Sequence, residues 1–463
     1  MKKLLFTLLF ILALSCPVCA TEKNNSADTQ KYLTRGLRNF AAGNFVLAIN
    51  AYSTAIQLDP DCLEAYYQRG LARIRSRSYF LATEDFSRVI ELQPDYVEAY
   101  YQRGIAYINR YKFDNAFENL NKAIQLNPMY AEAYCQRGIV HARNNEREKA
   151  LEDFNQAIRL KPKYAETYYQ RGLLYADKSL HSKAIEDFSK TIRLKPDYAE
   201  AYLKRGKSYN RLTYSDKNST RVYHNEELAD YSKAIQIDPQ NTWAYNLRAW
   251  VYQRKELYDL AIADYDKILE LSPYTKNSSV YYNRGECYGK KGLSDLAVAD
   301  FDKAIQIQPE DFSAYIKRAQ FYTDNREYEL ALADLDKAVE LAPQFPLNYL
   351  YRAQAYEKLG KYDLAEKDYY HSKHVSLHEN YYRYNLGEFY ERRGRYDDAF
   401  FHYNIVLKND PHYALALFSS ARLHKKLGHR EDALKYYQDF LKYAKEDNKN
   451  IPIAKKHIFI LTR

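Results

Sequence analysis

Apolar residues along this chain recur at helical spacing rather than in alternation. Residues 63–96 show the unit. LEAYYQRGLARIRS and FLATEDFSRVIEL each place their apolar side chains three and four residues apart, so each predicts an amphipathic helix with one buried face. The second helix ends before Gln93-Pro94-Asp95, because the residue before a proline avoids the helical region. The same stop recurs at Pro60, Pro128, Pro162, Pro196, Pro239, Pro273, Pro309, Pro343 and Pro411.

The unit repeats. The small residue of each Arg-Gly or Arg-Ala pair, with its later equivalents, falls at Gly36, Gly70, Gly104, Gly138, Gly172, Gly206, Ala249, Gly285, Ala319, Ala353, Gly387 and Ala421. The separations are 34 five times, then 43, then 36, then 34 four times. Twelve repeats of two helices, A and B, therefore run from 29–62 to 414–447. Position 20 of the register is Ala48, Ala82, Ala116, Ala150, Ala184, Ala261, Ala297, Ala331, Ala365, Ala399 and Ala433, where helix B is expected to approach helix A closely.

Within 97–130, Tyr100, Gly104, Tyr107, Ala116, Ala123 and Pro128 stand at positions 4, 8, 11, 20, 27 and 32. This pattern resembles the tetratricopeptide-repeat family; Leu120 departs from it at the second aromatic position. The resemblance implies an all-α fold, a right-handed superhelical solenoid of about twelve antiparallel helix pairs. It also implies a concave groove that binds a protein or peptide ligand, with no catalysis and no cofactor. Repeats 1–6 are expected over 29–241, with an insert near 213–223, and repeats 7–12 over 242–447. A capping helix is expected over 448–463, where Ile451, Ala454, Ile458 and Leu461 share one face.

Positions 4, 8 and 11 of helix A face inward, so positions 2, 5, 6, 9 and 13 share the opposite side. In the family that side lines the concave groove, so the resemblance implies a peptide-binding groove comprising Glu64, Tyr67, Gln68, Glu98, Tyr101, Gln102, Gln136, Tyr169, Gln170, Trp243 and Tyr282. A row of amides every 34 residues suits the backbone of an extended peptide. Neighbouring tyrosines offer broad contact at low entropic cost. The row is similar to the amide ladder in the repeat region of O-GlcNAc transferases. The Lys-then-Asn pair at positions 5 and 9, with which some family members grip chaperone C-termini, is absent; repeat two has Tyr67 and Leu71. A Tyr-lined groove also suits a glycan, or an envelope-assembly adaptor.

Position 7, usually apolar in the family, is Arg in ten consecutive repeats, Arg35 to Arg352. Position 23 is Asp in eight of the nine repeats from two to ten; repeats eleven and twelve lose both. Joint presence and loss predict a structural ladder of contacts, among them Arg69 with Asp85, Arg137 with Asp153 and Arg171 with Asp187.

Composition narrows the remaining classes. The net charge of +9 comes from mixed signs throughout, so no nucleic-acid partner is expected. Only 14 Gly are present, and no phosphate loop or nucleophile elbow appears. His371, His374 and His378 lie at i, i+3 and i+7 on helix B of repeat ten; they read as surface histidines, and no metal is expected.

The N-terminus reads as a secretory leader over 1–20, followed by a polar linker over 21–28. Lys2 and Lys3 precede an apolar run, Leu4 to Leu14, and Val18-Cys19-Ala20 offers small residues for cleavage. Export to the periplasm, envelope or medium is the expectation. Membrane attachment follows only if Cys16 is lipidated. Intact mass of the exported protein is expected to place the mature start at Thr21; a diacylglyceryl adduct on Cys16 would overturn this.

Overall fold

A computed structural model describes residues 27–215, 223–374, 379–444 and 448–462. The leader, Cys16, His378, the core of the repeat-six insert and the side chain of His374 lie outside them. Among the described residues there are twenty-five helices and no strand, and no helix is long and apolar enough to cross a membrane. The helices form adjacent pairs in the order expected, from Ala27–Ala41 with Phe45–Leu58 to Ala414–Lys426 with Arg430–Tyr443. The chain divides into two compact units after Ala201, inside helix A of repeat six (Ala199–Ser215). The repeat spacing had put the division later, at 241/242.

In the first unit, Ala48, Ala82, Ala116, Ala150 and Ala184 are fully buried where helix B meets helix A. Position 8 is the opposing surface. A Cβ on Gly70 would lie 2.7 Å from the Phe86 ring, and one on Gly172 2.8 Å from Phe188, so glycine there admits the aromatic of position 24. The second unit repeats the contact with Ala261, Ala297, Ala331, Ala365, Ala399 and Ala433. Its final helix, Ile451–Leu461, buries Ala454 and packs Ile451, Ile458 and Leu461 with Phe418, Tyr437 and Phe440. That closes the exposed end of the last repeat.

Repeat six departs at the same point. Its position 20 is Glu227, fully buried. Its carboxylate accepts from Arg254 Nη2 at 2.6 Å and Asn210 Nδ2 at 3.2 Å, with His224 Nδ1 at 3.3 Å. The buried charge is thus paired rather than stranded.

The Arg–Asp ladder forms throughout. Arg171 donates from Nε and Nη2 to the two oxygens of Asp187, both at 2.8 Å. Arg137 holds Asp153 at 2.8 and 2.7 Å, and Arg69 reaches Asp85 at 2.7 Å. Arg205, Arg248, Arg284, Arg318 and Arg352 hold Asp230, Asp264, Asp300, Asp334 and Asp368 in the same way. In repeat three Arg103 donates instead to Asn119 Oδ1, 2.7 Å away.

The sequence had not shown a third arm. Nη1 of Arg69, Arg103, Arg137, Arg171, Arg248, Arg284, Arg318 and Arg352 reaches position 25 on helix B of the preceding repeat. The acceptors include Ser53 for Arg69, Asn121 for Arg137 and Asn155 for Arg171. In the second unit they include Ser232, Asp266, Asp302 and Asp336. Such a guanidinium ties helix A to its own helix B and to the one before. The aspartates are nearly buried: Asp187 is 7% exposed, against 19% for Arg171.

Removing one partner strands the other, whereas replacing both by apolar residues does not. In urea unfolding of the chain, Asp187→Ala is expected to cost about 3 kcal/mol. The Arg171→Leu/Asp187→Leu double variant should cost markedly less. Equal losses would show that Arg171 finds adequate solvent or other acceptors alone.

Cys62, Cys135 and Cys287 are buried. Burial pushes the thiols of Cys135 and Cys287 up to about 12, so the reactive thiolate is scarce. Iodoacetamide at about pH 8 should leave Cys135 and Cys287 unmodified in the folded chain and alkylate them after denaturation, as read by mass.

Candidate binding groove

In the first unit, the outward side of helix A is more closed than helical spacing implies. Position 5 packs against the tyrosine that ends the repeat. Tyr101 lies 4.9 Å from Tyr130 and Tyr169 4.8 Å from Tyr198, ring centre to ring centre. Tyr67 sits between Phe86 and Tyr96. Tyr101 and Tyr169 are each only 8% exposed, and Cys135 is fully buried. Burial, then Cys135 and the Glu132 and Glu166 carboxylates, pushes the Tyr101 phenol well above its ordinary range. These rings form a seam within the fold rather than an open stripe.

The amide row stands on the accessible rim of that seam. Gln68 donates to Glu64 and Gln170 to Glu166, each at 2.7 Å; both pairs are four residues apart, one helical turn. Gln102 and Gln136 are half-buried and Glu98 is exposed. Glu132 accepts from Lys161, and Glu166 also accepts from the Tyr198 hydroxyl at 3.0 Å. A ligand addressing this row must compete with carboxylates already engaged.

The second unit is different. Trp243 and Trp250, the only two tryptophans of the chain, stand at positions 2 and 9 of helix Thr242–Arg254. They are 52% and 51% exposed. Lys207 Nζ lies 5.6 Å from the Trp243 ring centre and the Arg254 guanidinium 5.2 Å from that of Trp250. Partial burial, then the Lys204 and Arg211 charges, lowers the pKa of Lys207. Lys204, Lys207 and Arg211 occupy positions 6, 9 and 13 of repeat six, the groove-side positions.

Further along, helices A of repeats eight to ten line a cavity of about 380 Å³. Glu286, Lys290, Lys317, Gln320, Asp324 and Gln354 contribute to its wall. Ion pairs cross between repeats there: Lys317 to Glu286 and Lys290 to Asp324, each at 2.9 Å. Tyr282 is half-buried nearby on the same helix as Glu286. His371 is exposed and lies 4.2 Å from the Tyr349 ring.

The sequence reading missed two features. Glu227 replaces the alanine at the closest helix contact. The position-25 acceptors were legible as a column of Ser, Asn and Asp, which becomes Tyr370 where the next arginine is lost at Leu386.

Comparison with known proteins agrees with the helix pairs. Models described as TPR repeat match residues 36–75, 111–145 and 143–179. Models described as Tetratricopeptide repeat match 165–198, 230–263, 278–311 and 312–345. Residues 361–461 match the model described as Anaphase-promoting complex subunit 5. No curated protein sequence matches the chain. Among solved structures, yeast Tom70 is 17% identical, with 94% of this chain and 95% of that one covered and a TM-score of 0.50. MamA is 29% identical over 37% of this chain and 94% of its own, with a TM-score of 0.33. YrrB, described as a TPR protein with an unusual peptide-binding site, is 24% identical over 43% and 96%, with a TM-score of 0.38. With its period, its buried small residues and these matches together, the chain belongs to the tetratricopeptide-repeat family.

Proposed function

We propose that this protein is a non-catalytic scaffold that binds an extended segment of a protein partner along the outer face of its helices A, anchored at Trp243 and Trp250. The family fold is typical of protein–protein interaction. The exposed tryptophan pair carries the reading. Large aromatic side chains are costly to leave half in water and dominate the binding energy of interfaces. Seven residues apart on one helix, they stand on one face about two turns apart. Lys204, Lys207 and Arg211 add positive charge beside them, which suits a segment of apolar side chains flanked by carboxylates. Export by the leader at 1–20 is part of the same proposal and sets its site of action outside the cytoplasm.

A glycan would stack on an open indole face. Here Lys207 and Arg254 already lie over those rings, which favours the peptide. Peptides selected from a random phage-displayed library against the mature chain are expected to bind the Trp243→Ala/Trp250→Ala variant at least about tenfold more weakly, with helicity unchanged. Equal affinity would remove the tryptophans from the site. Binding on a glycan array that is lost in the same variant would favour the sugar instead.

A further inference from the structure

The turn between helices A and B is built alike from repeat to repeat. In repeat twelve Gly428 adopts φ +81°, and the His429 amide donates to the His424 carbonyl at 2.9 Å. This fixed reversal brings positions 11, 16 and 19 together. Repeat four shows the contact with His141 2.5 Å from Glu146, which also pairs with Lys149. Repeat eleven shows it with Arg395 over the Tyr390 ring and bonded to Asp398. Both clusters contain a cation that neutralises the carboxylate.

Repeat twelve fills the same positions with His424, His429 and Asp432. The two Nδ1 atoms are 3.3 Å apart, and Asp432 Oδ2 is 3.8 Å from His424 Nδ1. One ligand atom from each residue falls within 4.8 Å of the others. Bonds of about 2.0–2.1 Å at tetrahedral angles put neighbouring ligand atoms about 3.3 Å apart. The two imidazoles already meet that spacing, and a small rotation of the exposed Asp432 closes the third side. Packing fixes the His424 ring, which lies 4.5 Å from Phe400 and stacks on Tyr436 at 5.4 Å.

The nearby cations are directed elsewhere. Lys425 reaches His457, Lys426 lies over the Tyr396 ring, and Arg430 donates to the Leu461 carbonyl. We propose that His424, His429 and Asp432 form a binding site for a zinc-type divalent cation, tying helix A to helix B in the last repeat. Two imidazole nitrogens and one carboxylate suit a borderline ion such as Zn²⁺ rather than Mg²⁺ or Ca²⁺. Three protein ligands leave a fourth position for water or a partner's side chain.

Calorimetric titration of the untagged full chain with zinc sulfate, after dialysis against a chelator, tests the site. One equivalent is expected to bind with Kd on the order of micromolar, with no comparable heat from magnesium. Zinc should also raise the melting temperature, since it binds only the folded turn. His429→Ala, at an exposed position, and His424→Ala are each expected to weaken binding about tenfold or more, with helicity retained. His371→Ala is expected to bind as the parent does. Absence of saturable binding below about 1 mM, or full binding by His429→Ala, would overturn the site and leave an imidazole–imidazole hydrogen bond.

Discussion

Within each of the two units, one guanidinium joins three helices in most stapled repeats, and the stacking of neighbouring repeats there depends on it. A helix pair cannot bury both its faces alone, so each helix A must hold its own helix B and the preceding one in fixed register. Arginine suits this because its donors form a planar fork, two on one side and one on the other. Nε and Nη2 close on an aspartate while Nη1 reaches back, as Arg171 does to Asp187 and Asn155. The flanking rings complete the fit, with Tyr168 and Tyr175 at 5.7 and 5.8 Å from the Arg171 guanidinium. Lysine would supply charge without the fork. Because the charges lose much of their hydration, the gain lies in geometry more than in net free energy.

Loss of the staple is compensated in a consistent way. Repeat eleven has Leu386 at position 7, fully buried beside Phe389, Tyr390 and Tyr403. His402 replaces the aspartate and stacks on Tyr390, with ring planes 9° apart. Burial, then the Arg383 and Lys373 charges, pushes His402 down to about 4, so it serves as a neutral ring. In repeat twelve Ser420 and half-buried Tyr436 take the two positions. Dispersion and apolar burial replace the ion pair in the two repeats nearest the short helix Ile451–Leu461.

Most of the fold was legible because a solenoid writes its three-dimensional neighbours as sequence columns. The period gave the pairs, the alanine column gave the close contact, and the covariation of positions 7 and 23 gave the ladder. Helical spacing failed where a residue from another segment intervened. Position 5 lies on the outward side of helix A, yet Tyr130 and Tyr198 fold across Tyr101 and Tyr169 from the end of the repeat. A single-helix projection cannot contain that tyrosine. Glu227 is a different failure: a carboxylate at an alanine position reads as exposed until Asn210 of the preceding helix and Arg254 of the next repeat are brought to it.

The parts of the candidate groove differ in how far their own side chains satisfy one another. Along repeats eight to twelve, charges on helices A neutralise each other between repeats: Lys317 with Glu286, Lys290 with Asp324, Arg392 with Glu357 and Arg422 with Glu391. A ligand entering there must replace ion pairs that already satisfy both partners, and the exchange gains little. In the first unit the Gln–Glu pairs impose a similar cost on backbone recognition. At Trp243 and Trp250 the balance reverses. The indoles contribute apolar surface that water covers poorly, and the adjacent lysines and arginines belong to one sign. Covering the half of each indole that water still reaches releases that water. A complementary acidic segment offsets the repulsion from Lys204 and Arg211, which adds to burial in lowering the pKa of Lys207. The groove can therefore have uniform architecture and still bind unevenly, with affinity concentrated where apolar surface and like charge are left uncovered.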